Sequence, residues 1–291
     1  MSRKSSLRSL ARSMSLPSRN APAVKVHVRR MYVDCRYGQM HVHTAFPSSG
    51  GFDELTPLVC LHPAGLTGHA FDGFLEAMGR DRSVYAPDAP GCGESDTPEA
   101  APTIAEYAEA CGDFLDSLRL RQVDVLGYQV GSLVAAELAI ARPGQVRRVV
   151  MAGAPVFDAR EREAFQARPW PVRARDDGTH VLDEWQRSWK THGEHATTER
   201  VGADVGAVLS AGRGAAWTMA AAVHYLAGER LPLLTQPVLL LRPADEFREH
   251  TVRAESLLHT AARVDLPGHG GALFSAPGAG LAEPVRRFLD L

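Results

Sequence analysis

The chain has 291 residues, 45% hydrophobic and 7% aromatic, enough to bury a sizeable core in one α/β domain or two smaller ones. A formal net charge of −2 with a pI near 6.6 argues against nucleic acid or an anionic membrane surface as a partner. No apolar run reaches the roughly 18 residues a membrane-crossing helix needs.

Cys35, Cys60, Cys92 and Cys111 show no C-x-x-C spacing and read as reduced thiols, the pattern expected of a cytoplasmic protein. Residues 1–24 stand apart: Arg3, Lys4, Arg8, Arg12 and Arg19 lie among many serines, and no acid precedes Asp34. That composition reads as a disordered tail, although transit peptides share it.

Beyond the tail, 30–35 and 40–46 alternate around Tyr37-Gly38-Gln39 as an opening hairpin. Residues 57–61 form an apolar strand suited to a sheet buried on both faces, a helix spans about 68–78, and 83–86 is the next strand. Ile104, Tyr107, Ala108, Cys111, Phe114, Leu115 and Leu118 make one apolar stripe, predicting a helix that Thr103 and Glu106 begin with a capping box. Strand 122–127, helix 130–142 and strand 146–152 continue the alternation. It breaks over 155–234, which contains all four tryptophans, Trp170, Trp185, Trp189 and Trp217, and reads as a helical lid. Strand 237–242, helix 248–259, strand 262–266 and helix 280–290 restore it. The expectation is a mostly parallel α/β sheet with an antiparallel N-terminal edge and flanking helices, its core formed by 25–154 and 235–291 with the lid between.

Gly127-Tyr128-Gln129-Val130-Gly131 joins a strand to a helix, the setting of a G-x-S-x-G nucleophile elbow. Its central residue is Gln129, an amide with no nucleophilic lone pair. Asp88-Ala89-Pro90-Gly91-Cys92-Gly93-Glu94-Ser95-Asp96 carries only G-x-G, with the next helix ten residues on, so it is a poor dinucleotide loop. It resembles instead the D-x-P-G-x-G-x-S-D loop of α/β-hydrolases. Leu61-His62-Pro63-Ala64-Gly65 stands where that family carries H-G-x-x-G, and Gly268-His269 follows the last strand. Over about 28–291 the chain is thus similar to the α/β-hydrolase superfamily, with Gln in place of the elbow nucleophile.

The resemblance implies an α/β-hydrolase fold, His269 as base, and Glu246 or Asp245 as its acid, with Glu246 favoured by register over Asp245 and the remoter Asp158. It implies oxyanion donors at the backbone of Ala64 and Val130, and a substrate pocket for which His62, Tyr128, Trp185 and Trp217 are candidates. Ser132 and Cys92 are poor substitute nucleophiles, the first being three residues past the turn and the second on another loop. The pair His192 and His195 lacks a third metal ligand, so neither metal nor cofactor is expected. What remains is general acid–base catalysis, either hydrolysis or C–C or C–O lyase chemistry on a small hydrophobic carbonyl compound or ester. The alternatives are a ligand-binding pseudoenzyme and an inactivated variant of a serine- or aspartate-nucleophile hydrolase. A small molecule is the expected partner, and a homodimer is left open.

Overall fold

A computed structural model describes residues 25–48, 54–167, 174–271, 273–274 and 280–291. The basic N-terminal stretch and Trp170 lie outside them. The opening hairpin is β1 (Val26–Cys35) and β2 (Gly38–Pro47); it is followed by β3 (Leu55–Leu61), a 3-10 turn (Gly68–Phe71), helix α1 (Asp72–Met78) and β4 (Arg82–Pro87). Then come α2 (Ile104–Ser117), β5 (Val123–Tyr128), α3 (Val130–Ala141) and β6 (Val146–Ala152). After β6 the chain runs through α4 (Ala159–Ala167), α5 (Thr179–His192), α6 (Thr198–Ala211), α7 (Arg213–His224) and α8 (Ala227–Arg230). It returns to the sheet with β7 (Val238–Pro243), α9 (Arg248–Leu257), β8 (Ala261–Leu266) and α10 (Ala282–Leu289).

The eight strands lie in the order β1-β2-β4-β3-β5-β6-β7-β8. β2 is antiparallel to both β1 and β4, and every pair from β4 to β8 is parallel. The central strands are buried along their length, as their unbroken apolar runs demand. One apolar layer packs α2 and α3 on the sheet; the other places Phe71, Phe74, Leu75 and Met78 beside Val285 and Phe288 on the opposite face. The expected capping box forms, with the Glu106 backbone N–H donating to Thr103 Oγ1 (3.2 Å) and the Thr103 N–H to Glu106 Oε2 (2.8 Å).

The helical insertion is anchored to the core by a buried acid. Glu137 on α3, only 5% exposed, accepts from the Tyr225 hydroxyl (2.9 Å) and from Arg230 Nε (3.0 Å) of α8. Among the described residues no helix is long and apolar enough to cross a membrane.

Candidate active site

The carboxyl ends of parallel strands are where an open α/β sheet leaves a crevice, because successive loops diverge there. β5 delivers Gln129 to that edge with φ 48° and ψ −116°. Arg119 is the only other non-glycine residue at positive φ among the described residues. The flanking glycines make the bend sterically feasible. A methyl group on Gly131 would overlap the Leu61 carbonyl oxygen, and one on Gly127 would overlap the carbonyl of Gly131. The Gln129 N–H donates to Ala152 O (2.8 Å), fixing the turn to the end of β6.

The acid that faces inward is Asp245, and Glu246 is exposed, so the structure reverses the preference that register gave. The cause is the turn after β7: Phe247 is buried and its N–H donates to Asp245 Oδ1 (3.0 Å), which folds Asp245 back under the strand ends. There the carboxylate reaches Gly153 closely enough that a Cβ at that position would lie 2.9 Å from Asp245 Oδ2. Burial raises its pKa, while hydrogen bonding from Phe247 and the Gln129 amide opposes the shift. Asp158 is instead half a capping pair with Glu161 and lies within ion-pair range of Arg253.

His269 follows β8, and its carbonyl accepts from the Ala244 N–H (2.7 Å), which brings the imidazole loop and the Asp245 turn side by side. Two buried atoms in this arrangement lack hydrogen-bond partners: His269 Nδ1 and Asp245 Oδ2. They are the two atoms an assembled acid–imidazole pair would join. The expected His269–acid hydrogen bond is therefore not formed at these atoms.

Tyr128 is buried, and its hydroxyl donates to the Gly271 carbonyl while its ring meets Phe274 edge-on at 5.4 Å. It ties the elbow strand to the His269 loop, a role other than the substrate contact expected of it. His62 does line the pocket of Ala64 and Val130, but its ring nitrogens are engaged by backbone. Its Nδ1 donates to Pro63 O (2.8 Å) and its Nε2 accepts from the Ala89 N–H (2.8 Å), so both nitrogens hold backbone. Burial lowers its pKa, consistent with this neutral tautomer.

Ala64 and Val130, the expected oxyanion donors, are walls of one pocket with about 430 Å³ of empty space, part of it open to solvent. Met40, Leu61, Tyr107 and Val134 make it largely apolar, and α7 contributes Thr218. Trp185 and Trp217 are not in its described lining. Trp185 stacks on Trp189 at 6.2 Å within α5, and Trp217 carries the Arg213 guanidinium 5.4 Å from its ring centroid.

The substitute nucleophiles fail on geometry. Ser132 Oγ is held between the carbonyls of Gly127 (2.8 Å) and Ala152 (3.0 Å) inside the elbow. Cys92 is fully buried and its thiol is pushed up to about 12 by burial.

The structure also adds a pairing that the sequence concealed. His192 Nε2 meets Asp204 Oδ2 at 2.9 Å, joining α5 to α6, while His195 is exposed. The acid is twelve residues away across a helical turnaround, so no local spacing signals it.

A family model described as the alpha/beta hydrolase fold matches residues 56–176. The chain has the α/β-hydrolase fold. Among solved structures with this fold, an enol-lactonase from Burkholderia xenovorans superimposes with a TM-score of 0.76 at 16% identity, covering 90% of this chain and 100% of that one. A hydrolase from Pseudomonas aeruginosa does so with a TM-score of 0.75 at 23% identity, covering 90% and 98%. In sequence, a proline iminopeptidase from Heyndrickxia coagulans is 25% identical over 176 residues, 56% of this chain. The chain spans 59% of the length of that relative. The fold thus presents an elbow at a strand-end crevice, with an amide at the elbow's apex.

Proposed function

We propose that this protein is a hydrolase of the α/β-hydrolase superfamily that works by general acid–base catalysis without a covalent intermediate. The observation that carries the reading is Gln129 held at φ 48° and ψ −116°, the turn that presents a nucleophile in this fold. A non-glycine residue in so sparse a backbone region costs about 1–3 kcal/mol, and such strain clusters at working sites. The names of the relatives, which include a lactonase and a peptidase, support bond hydrolysis as the reaction class.

In this mechanism His269 takes a proton from water or substrate, and Asp245 orients the imidazole once Nδ1 and Oδ2 meet. Gln129 holds the substrate: its NH₂ can donate to a carbonyl while its Oε1 accepts from the attacking water. The N–H groups of Ala64 and Val130 receive the developing oxyanion. Loss of a serine nucleophile costs on the order of 10⁶ in kcat in a protease, yet the rest of such a site still exceeds water by about 10³–10⁴. Thr218 and the apolar pocket walls suit a small, largely hydrophobic ester or carbonyl compound, with the helices of 155–234 serving as its lid.

Gln129→Ser tests the reading. The base and oxyanion donors being already in place, the variant is expected to hydrolyse a p-nitrophenyl ester through an acyl-enzyme and to add one organophosphate mass unit at residue 129. The wild type is expected to show ester turnover with no adduct by intact mass. A covalent adduct on the wild-type chain during turnover overturns the non-covalent mechanism. Absence of turnover by the wild type across short-chain esters, lactones and amides, with binding retained, replaces it with a ligand-binding role.

A further inference from the structure

Three side chains from three elements, His43 of β2, His69 of the 3-10 turn and Asp72 of α1, converge over one face of β2. Residues 41, 43 and 45 share one face of β2, and Ala45 on that face packs with Phe71 and Leu75. The 3-10 turn at Gly68–Phe71 crosses directly over His43. A Cβ at Gly68 would lie 2.7 Å from His43 Cδ2, so only glycine allows the approach. His69 is then brought to a ring-centroid separation of 4.3 Å from His43, and Asp72 begins α1 one turn later.

We propose that His43, His69 and Asp72 form a binding site for a divalent transition-metal ion of the zinc type. One ligand atom from each lies within 4.8 Å of the other two. His69 Nδ1 is 2.8 Å from Asp72 Oδ2, and His43 Nδ1 is 3.8 Å from Asp72 Oδ1. The second distance is too long for a hydrogen bond. It is close to the roughly 3.3 Å that separates two ligands of one tetrahedral ion with bonds near 2.0–2.1 Å. Two imidazoles and one carboxylate are a borderline donor set that suits zinc and its neighbours, whereas magnesium and calcium prefer oxygen alone.

The surroundings prepare the ligands. His43 is 3% exposed, which holds its imidazole in place beneath the turn that carries His69. Behind it His41 stands edge-on at 4.8 Å, fixed by its Nδ1–Asp88 Oδ2 bond of 2.9 Å. Its Nε2 is buried without a partner, so that side of His43 is polar and incompletely satisfied. Asp88 is not a ligand in this scheme. Its oxygens already accept from the N–H groups of Gly68 (2.7 Å) and Glu94 (3.2 Å) as well as from His41. His69 and Asp72 are exposed, which leaves room for water as a fourth ligand. A bound ion would clamp β2 to the turn that continues from the Ala64 loop.

The test is a calorimetric titration of untagged, chelator-dialysed full-length protein with zinc chloride near neutral pH, alongside thermal unfolding with and without the ion. One equivalent is expected to bind with micromolar affinity and to raise Tm by several degrees. His69→Ala and Asp72→Asn, both at exposed positions that leave the core intact, are each expected to weaken binding at least tenfold. His195→Ala, at an exposed histidine elsewhere, is expected to leave it unchanged. No saturable one-to-one binding overturns the proposal. So does unaltered affinity in His69→Ala, or an equal loss in His195→Ala, which would mark scattered surface binding.

Discussion

Replacing Gln129 by glycine and, separately, by alanine isolates the strain at the elbow. Both substitutions remove the amide and whatever it gives Asp245, so those losses cancel in the comparison. Only glycine relaxes φ 48°, ψ −116°. The relief is about 1–3 kcal/mol, against which glycine's greater unfolded-state freedom costs roughly 0.5–1 kcal/mol. Gln129→Gly should therefore exceed Gln129→Ala in stability by about 0.5–2 kcal/mol. At roughly 2–4 °C per kcal/mol for a larger domain, that is a Tm separation of about 1–8 °C, with a chain of this length at the lower part of the range. Thermal and urea unfolding measure it, with equal m-values as the check that both variants unfold from the same state. Both should lose turnover, so the more stable variant would be no more active than the other. Equal stability, or alanine the more stable, would falsify the claim that residue 129 is held under strain.

Two further outcomes follow from the buried acids. Burial raises the Asp245 pKa, so its protonated form is favoured in the folded state and the charged form is destabilising above the ordinary carboxylate value near 3.9. Asp245→Asn should thus be the more stable protein at pH 7. Its advantage should shrink as pH falls through the raised value and vanish below about pH 4, while activity is lost throughout; an advantage that grows on acidification refutes this. Arg230→Met strips the guanidinium from Glu137, which is 5% exposed, leaving the Tyr225 hydroxyl as its side-chain partner among the described residues. Removing one member of a buried pair costs about 3–5 kcal/mol, and the partial exposure of Arg230 reduces this to about 2–3 kcal/mol by urea unfolding; a change under about 0.5 kcal/mol would mean that the insertion is anchored elsewhere.

The fold was legible because its signals are local. The stripe from Ile104 to Leu118 gave α2 to within a residue, and the apolar runs gave the parallel strands. The elbow was legible for the same reason, since its two glycines, four apart between a strand and a helix, are read within a few residues, although the contact that requires Gly131 is with the distant Leu61 carbonyl. The choice between Asp245 and Glu246 was not, because it depends on which way one turn rolls, and that is decided by the burial of Phe247. Nor was the commitment of His62, whose second nitrogen is occupied by a backbone group 27 positions later. The resemblance implied Trp185 and Trp217 as pocket residues, yet Thr218, adjacent to one of them, is the residue that reaches the pocket. His41 and His43 escaped notice because two histidines two apart on a strand acquire meaning only when the turn bearing His69 folds across them.

The bracket formed by His62 has an evolutionary implication. The loop that carries Ala64 is pinned through an imidazole to Pro63 and Ala89, and the His269 loop is pinned through Tyr128 to Gly271. Neither fastening passes through the side chain at 129. The apex of the elbow is consequently a socket whose occupant can be exchanged while its frame stands, so a lineage could trade one chemistry for another in a single codon change and refold nothing.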